Sequence, residues 1–168
     1  MPLGISNLCK LFYLEAPGFS HGAVHSVQSN LFEAIFSRSE LKKHLNELDC
    51  NVVHISLYDP DQQPELTNKF IDSLYVPVWD LEEDLCQYKT ITNEQAKEIS
   101  NFILKHKDKK FLINCEAGIS RSAGVGLAVE CLVKHSGDKY EFATSFSEIK
   151  EHARYSPNLT FFDKIVNS

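Results

Sequence analysis

FLINCEAGISRSAGVGLAVECL (111–132) is the stretch on which the fold turns. Residues 111–114 form a short run, apolar up to its closing Asn114. Such a run reads as a strand covered on both faces, the habit of a parallel sheet. AGVGLAVECLVKH (123–135) is apolar nearly all round and reads as a buried helix. Between them, CEAGISRS (115–122) suits neither a strand nor a helix interior, and reads as a tight loop. In open α/β sheets, ligands lie outside the carboxyl ends of the strands, which is where this loop falls.

The flanking sequence supplies the rest of such a sheet. Ser37 and Glu40 make a capping box, with Phe36 and Leu41 placed as a hydrophobic staple. Leu41, Leu45 and Leu48 continue that helix at helical spacing. CNVVHISLY (50–58) reads as a strand, stopped by the turn signal DPDQQP (59–64). FIDSLYVPVW (70–79) is partly a strand and runs into the acidic DLEED (80–84). Thr92 and Gln95 form a second capping box, opening a helix with Ala96, Ile99, Phe102 and Ile103 on one face. That helix ends in the basic KHKDKK (105–110). EFATSFSEIKEHA (141–153) reads as a further helix. The Ser156-Pro157-Asn158 break then starts a last one around LTFFDKIV, with Asn158 as its N-cap. Near the amino terminus, LCKLFYL (8–14) is compatible with a strand and residues 16–30 with a loop. Strands alternating with helices predict an α/β fold. The expected form is a central, mostly parallel sheet of four or five strands flanked by helices.

Composition sets the outer bounds. A length of 168 residues predicts one domain, 1–168, with 1–30 as an N-terminal extension or a segment at the pocket rim. Twenty-three acidic against 17 basic residues give a net charge of -6. That balance argues against a nucleic-acid or membrane-surface binder, which carries a basic excess. No apolar stretch is long enough to span a bilayer, and residues 1–19 lack the basic start and apolar run of a secretory signal. The cysteines, at 9, 50, 86, 115 and 131, form no C-x-x-C pair. They suit a reducing cytoplasm, with Cys131 as packing on the buried helix. The histidines lack metal-ligand spacing, so neither metal nor cofactor is expected; a monomer is the simplest form. Gly124 and Gly126 lie inside the helix rather than in the strand-to-helix turn, which excludes a dinucleotide fingerprint.

The loop itself has a distinct chemistry. A helix N-terminus presents unpaired N–H groups and a partial positive charge, favouring an anion. The amides from Glu116 to Arg121 can curl into a nest around phosphate oxygens, with Gly118 supplying the unusual backbone angle. Arg121 adds a planar fork that grips two oxygens. Cys115 sits at the centre of that field, which favours a thiolate. A bound phosphate would thus meet a sulfur nucleophile at its phosphorus.

C-x5-R between a strand and a helix resembles the protein tyrosine phosphatase superfamily. Ser122 directly after Arg121, and the late position of the motif, resemble its dual-specificity branch. CEAGISRSAGVGLA is similar to small phosphatase-like proteins of bacteria and their viruses. The resemblance covers about residue 50 to the end, including Ser156-Pro157-Asn158. It implies a nucleophilic Cys115 and phosphate held by Glu116, Ala117, Gly118, Ile119, Ser120 and Arg121. It implies a general acid on a loop thirty or more residues before the cysteine. Asp80, 35 positions before Cys115, is the first choice, Asp84 the second, with Glu82 and Glu83 behind. Ser122 would hydrogen-bond the sulfur, and another cysteine could serve as a backdoor disulfide partner. The substrate would be a phosphoprotein carrying phosphotyrosine, with phosphoserine or phosphothreonine as further targets. The sequence departs from the pattern at Asn114, where the family has histidine, which implies a thiolate formed less readily. The alternatives are a phosphate-binding module without turnover, a phosphatase acting on RNA 5′ ends or another non-protein phosphate, and a rhodanese-like sulfur or arsenate handler.

Overall fold

The computed structural model describes residues 31–168; the strand and loop expected within 1–30 lie outside them. Four strands form one all-parallel sheet: β1 Phe32–Ser37, β2 Val52–Tyr58, β3 Asp72–Pro77 and β4 Lys110–Cys115, in the order β1-β4-β2-β3. The helices are α1 Arg38–His44, α2 Asn93–Lys105, α3 Arg121–Lys134, α4 Lys139–Thr144, α5 Glu148–Glu151 and α6 Leu159–Val166.

The two central strands, β4 and β2, are buried almost throughout, as their apolar runs predict. One face of the sheet, with Val53, Ile55, Leu57, Phe111, Ile113 and Cys115, packs on α2, α3 and α6. The other, with Val52 and Leu112, packs on Phe36, Leu41, Leu48 and Phe70 beside α1. Helix α3 is buried from Arg121 through Cys131 because it lies between the sheet, α2 and α6 on one side and α4 and α5 on the other. Both capping boxes form as expected.

Three local expectations need correction. First, β1 is a strand that the sequence does not announce. Its alternation is masked by the buried Glu33 and by a register irregularity between Phe32 and Ala34. Second, the first helix stops at His44, and Leu48 reaches the core from the following turn. Third, residues 141–153 hold two short helices rather than one. Ser145 ends α4, and Ser147 both caps α5 at the Lys150 amide and donates to the buried carboxylate of Glu130, 2.5 Å away. A serine engaged in this way holds the backbone out of the helix.

The register brings the carboxyl ends of the strands level: Ser37 pairs with Cys115, Ser56 with Asn114, and Tyr58 with Pro77. Arg38, Asp59 and Asp80 leave from the ends of β1, β2 and β3, around the loop that follows β4.

Candidate active site

Residues 115–121 close over the end of β4. Gly118 takes φ +67°, a left-handed angle that costs other residues a steric penalty. A β-carbon there would come within 2.4 Å of the Ser37 nitrogen, so the loop packs on β1 only with glycine. The loop carbonyls point outward: Glu116 O accepts from Arg38 N (3.2 Å), Ile119 O from Ser156 N (3.1 Å) and Ser120 O from Asn158 N (3.1 Å). With the carbonyls turned out, the amides face the other way. Among the described residues, no backbone acceptor is paired with the N–H of Glu116, Ala117, Ile119 or Ser120. That arrangement is an anion nest.

Cys115 is buried, 2% exposed, at the base of the nest. Its sulfur receives the Gly118 N–H (3.3 Å) and lies 3.2 Å from the Ser122 hydroxyl. The structure brings Ser122 to the sulfur.

Arg121 is also buried, 4% exposed. One nitrogen, Nη1, donates to Asp59 Oδ1 (2.6 Å) and to the Val78 carbonyl (2.7 Å). Its Nε is buried without a partner among the described residues. A buried guanidinium N–H left unpaired is costly, and here it belongs to the loop that forms the nest. Sequence reasoning misses Asp59, because DPDQQP signals only a turn. The usable clue is a carboxylate at the end of a central strand.

Of the four candidate acids Asp80, Glu82, Glu83 and Asp84, Asp80 is the one whose side chain bonds to the loop. Its Oδ1 accepts from the Ser120 hydroxyl (2.8 Å) and from Asn158 Nδ2 (3.1 Å), and no donor meets its Oδ2 among the described residues. Asp84 instead closes its own loop, accepting from Lys89 (2.9 Å) and the Thr90 amide (3.0 Å). These two donors hold its carboxyl below the usual range. Glu82 and Glu83 are exposed. Glu116 is half-exposed and faces Arg38 at 3.8 Å. Asn114 is buried, and its Oδ1 lies 2.7 Å from His54 Nε2.

The segment before α6 ties these parts together. Asn158 caps α6 with Oδ1 and holds Asp80 and the Leu81 carbonyl with Nδ2. A β-carbon on Gly124 would lie 2.4 Å from the Asn158 carbonyl oxygen, so glycine there lets this segment lie directly on α3. Arg154, nearby, is clamped by Glu40 at 2.7 Å.

The chain's sequence matches no family model and no curated protein. Its structure does match solved ones. Tk-PTP in its active form aligns with a TM-score of 0.51 at 17% identity, covering 75% of this chain and 86% of that one. PTPMT1 in complex with PI(5)P aligns with a TM-score of 0.50 at 14% identity, covering 80% and 85%. At such identities the likeness is one of fold, and the topology and the strand–loop–helix unit around Cys115 agree with it. The chain has the fold of the protein tyrosine phosphatase superfamily.

Proposed function

We propose that the protein is a cysteine-dependent phosphomonoester hydrolase of the dual-specificity type. The observation that carries this reading is the convergence of a nest of free amides, the unpartnered Nε of Arg121 and the sulfur of Cys115. The phosphate oxygens bind the amides of 116–120 and the Arg121 fork. The Cys115 thiolate attacks phosphorus, the P–O bond to the leaving group breaks, and Asp80 protonates the departing oxygen. Asp80, now a carboxylate, takes a proton from water; that water attacks the cysteinyl-phosphate, and the P–S bond breaks as Ser122 donates to the departing sulfur. Acid catalysis of this kind contributes about 10²–10⁴-fold, and no step calls for a metal or cofactor.

The substrate on this reading is a phosphoprotein. The loop has Glu116 and no lysine, and the exposed Asp80 stands beside it. A net charge of -6 adds to the repulsion of polyanions such as RNA ends or inositol phosphates. Among the described residues no helix is long and apolar enough to cross a membrane. We take the enzyme to work as a monomer in the cytoplasm.

The test is hydrolysis of an aryl phosphate in the presence of chelator, against pH, for wild type, Cys115→Ser, Arg121→Ala and Asp80→Asn. The first two variants should be inactive, with Cys115→Ser still binding vanadate. Asp80→Asn should slow turnover about a hundredfold or more. An active Cys115→Ser would end the covalent mechanism. An inactive wild type that still binds phosphopeptide through Arg121 would mark a binding module instead.

A further inference from the structure

DPDQQP (59–64), which follows β2, reads in the sequence as a turn and no more. In the structure it joins two arginines. At one end Asp59 Oδ1 accepts from Arg121 Nη1 (2.6 Å). At the other end Arg38, the first residue of α1, spreads its guanidinium over the same turn. Nη1 donates to Gln62 Oε1 (2.6 Å) and Nη2 to the Gln63 carbonyl (2.8 Å). Nε and Nη2 both donate to Glu65 Oε1 (2.9 and 2.7 Å). Gln62 stands between the two ends, with its Nε2 donating to Asp59 Oδ2 (3.4 Å). A primary amide accepts at its oxygen and donates at its nitrogen. Arg38 offers only donors and the Asp59 carboxylate only acceptors, so one orientation of the Gln62 amide serves both. The chain Arg38–Gln62–Asp59–Arg121 is therefore continuous from the start of α1 to the loop. The turn does not need it, because the Gln62 N–H already closes the turn on the Asp59 carbonyl (2.8 Å). Stability does not explain it either, since partly exposed ion pairs such as Arg38–Glu65 add little.

We propose that Gln62, anchored by Arg38, is a positioning residue for anion binding: it fixes the Asp59 carboxylate, and through it the plane of the Arg121 guanidinium. The proposal rests on the reading of residues 115–121 as a phosphate site. A carboxylate held by one oxygen can still turn about its own bonds. With Oδ1 on Arg121 and Oδ2 on Gln62, both oxygens are held and that freedom is gone. Order present before the anion arrives is order that binding need not impose. The charged groups about Gln62 are Asp59 on its own turn, Arg38 and Lys42 on α1, and Glu65, which both cations contact. All of them stay in place when only the amide is changed.

The test is a titration of the full chain with sodium sulfate, a tetrahedral dianion, at fixed ionic strength. It is followed by the ¹H–¹⁵N signals of amides 116–121. Gln62→Leu should weaken sulfate about fivefold, the worth of one ordinary hydrogen bond. In an Asp59→Leu background the same change should add less than about twofold. Lys42→Met removes a nearby cation without touching the chain and should stay within about twofold of wild type. Gln62→Glu supplies a readout that a merely structural role would not move. Ionised, the introduced carboxyl keeps the acceptor for Arg38 but repels Asp59. Protonated, it has the donor and acceptor that Gln62 has. Its sulfate affinity relative to wild type should therefore be lowest at pH 7.5 and recover toward pH 5. Wild-type affinity in Gln62→Leu, or a full fivefold effect without Asp59, would overturn the proposal and leave the phosphate site standing. Should Gln62→Leu fail to fold, Gln62→Glu decides, and a ratio that is flat with pH refutes the proposal. A wild type whose loop amides ignore sulfate would sink the phosphate-site reading itself, and the proposal with it.

Discussion

Arg121 ties one nitrogen to Asp59 and Val78, which fixes the plane of its fork before any phosphate arrives. An arginine free to swing would bind one phosphate oxygen well and two badly. Asp59→Asn keeps an acceptor but loses the charge, and Asp59→Leu leaves only the Val78 carbonyl. A hydrogen bond to a charged group is worth about 1.5–3 kcal/mol. Steady-state kinetics on an aryl phosphate should therefore show kcat/KM down about tenfold in Asp59→Asn and about a hundredfold in Asp59→Leu. Wild-type values in Asp59→Leu would mean that the loop alone orients the guanidinium. Cys115, Gly118, Arg121 and Ser122 are legible in the sequence because a strand, a tight loop and a helix leave little freedom to residues spaced so closely. Asp59 and His54 are not. Their partners lie 62 and 60 positions away, and only the strand order joins them.

Elements carry the site as much as residues do. Helix α3 aims its N-terminus at the nest, and the start of α6 holds the acid loop against it. Asn158 does both jobs at that start: Oδ1 caps α6 at the Thr160 and Phe161 amides, and Nδ2 holds Asp80. The two roles separate by substitution. Asn158→Asp keeps the cap but replaces the donor to Asp80 with a repelling carboxylate. Its stability in urea should stay within about 1 kcal/mol of wild type. Its kcat should fall about tenfold or more, bounded by the full loss of acid catalysis. Asn158→Ala should lose activity and also about 1 kcal/mol of stability, the usual worth of a cap. Full kcat in Asn158→Asp would separate Asp80 from the chemistry. At this scale the sequence is legible wherever one element carries its own signal: the two capping boxes, the Pro157-Asn158 start of α6, the apolar α3. It is least legible where a tertiary contact overrides the local pattern. Glu33 disguises an edge strand, and the Ser147–Glu130 bond splits a stretch that helical periodicity alone would join.

For the whole molecule, the buried pair of His54 and Asn114 makes folding itself sensitive to pH. Burial brings His54 down from an ordinary 6.5 to about 4. Below 6.5 the unfolded chain accepts a proton that the folded chain refuses. Stability present above that pH is therefore lost as pH falls, until folded His54 also protonates near 4. The span corresponds to about 3 kcal/mol, of which about 2 kcal/mol is gone by pH 5. Half-buried Glu40 and buried Glu130 act outside this part of the range or against it. Glu40 is pushed up by burial, but the bonds from Arg154 and Ser37 outweigh that and hold its carboxyl below its ordinary value. Its share of stability is therefore lost at more acid pH. Burial raises Glu130, so the folded chain binds that proton first and gains stability as pH falls. Only a comparison with a variant isolates the histidine. Urea unfolding of wild type and His54→Gln at pH 7.5 and pH 5 should show the wild type losing about 2 kcal/mol more than the variant over that interval. Equal losses would mean that His54 takes its proton in the folded state as easily as in the unfolded one. The ring could then not be the neutral, buried donor that holds Asn114 at the end of β4.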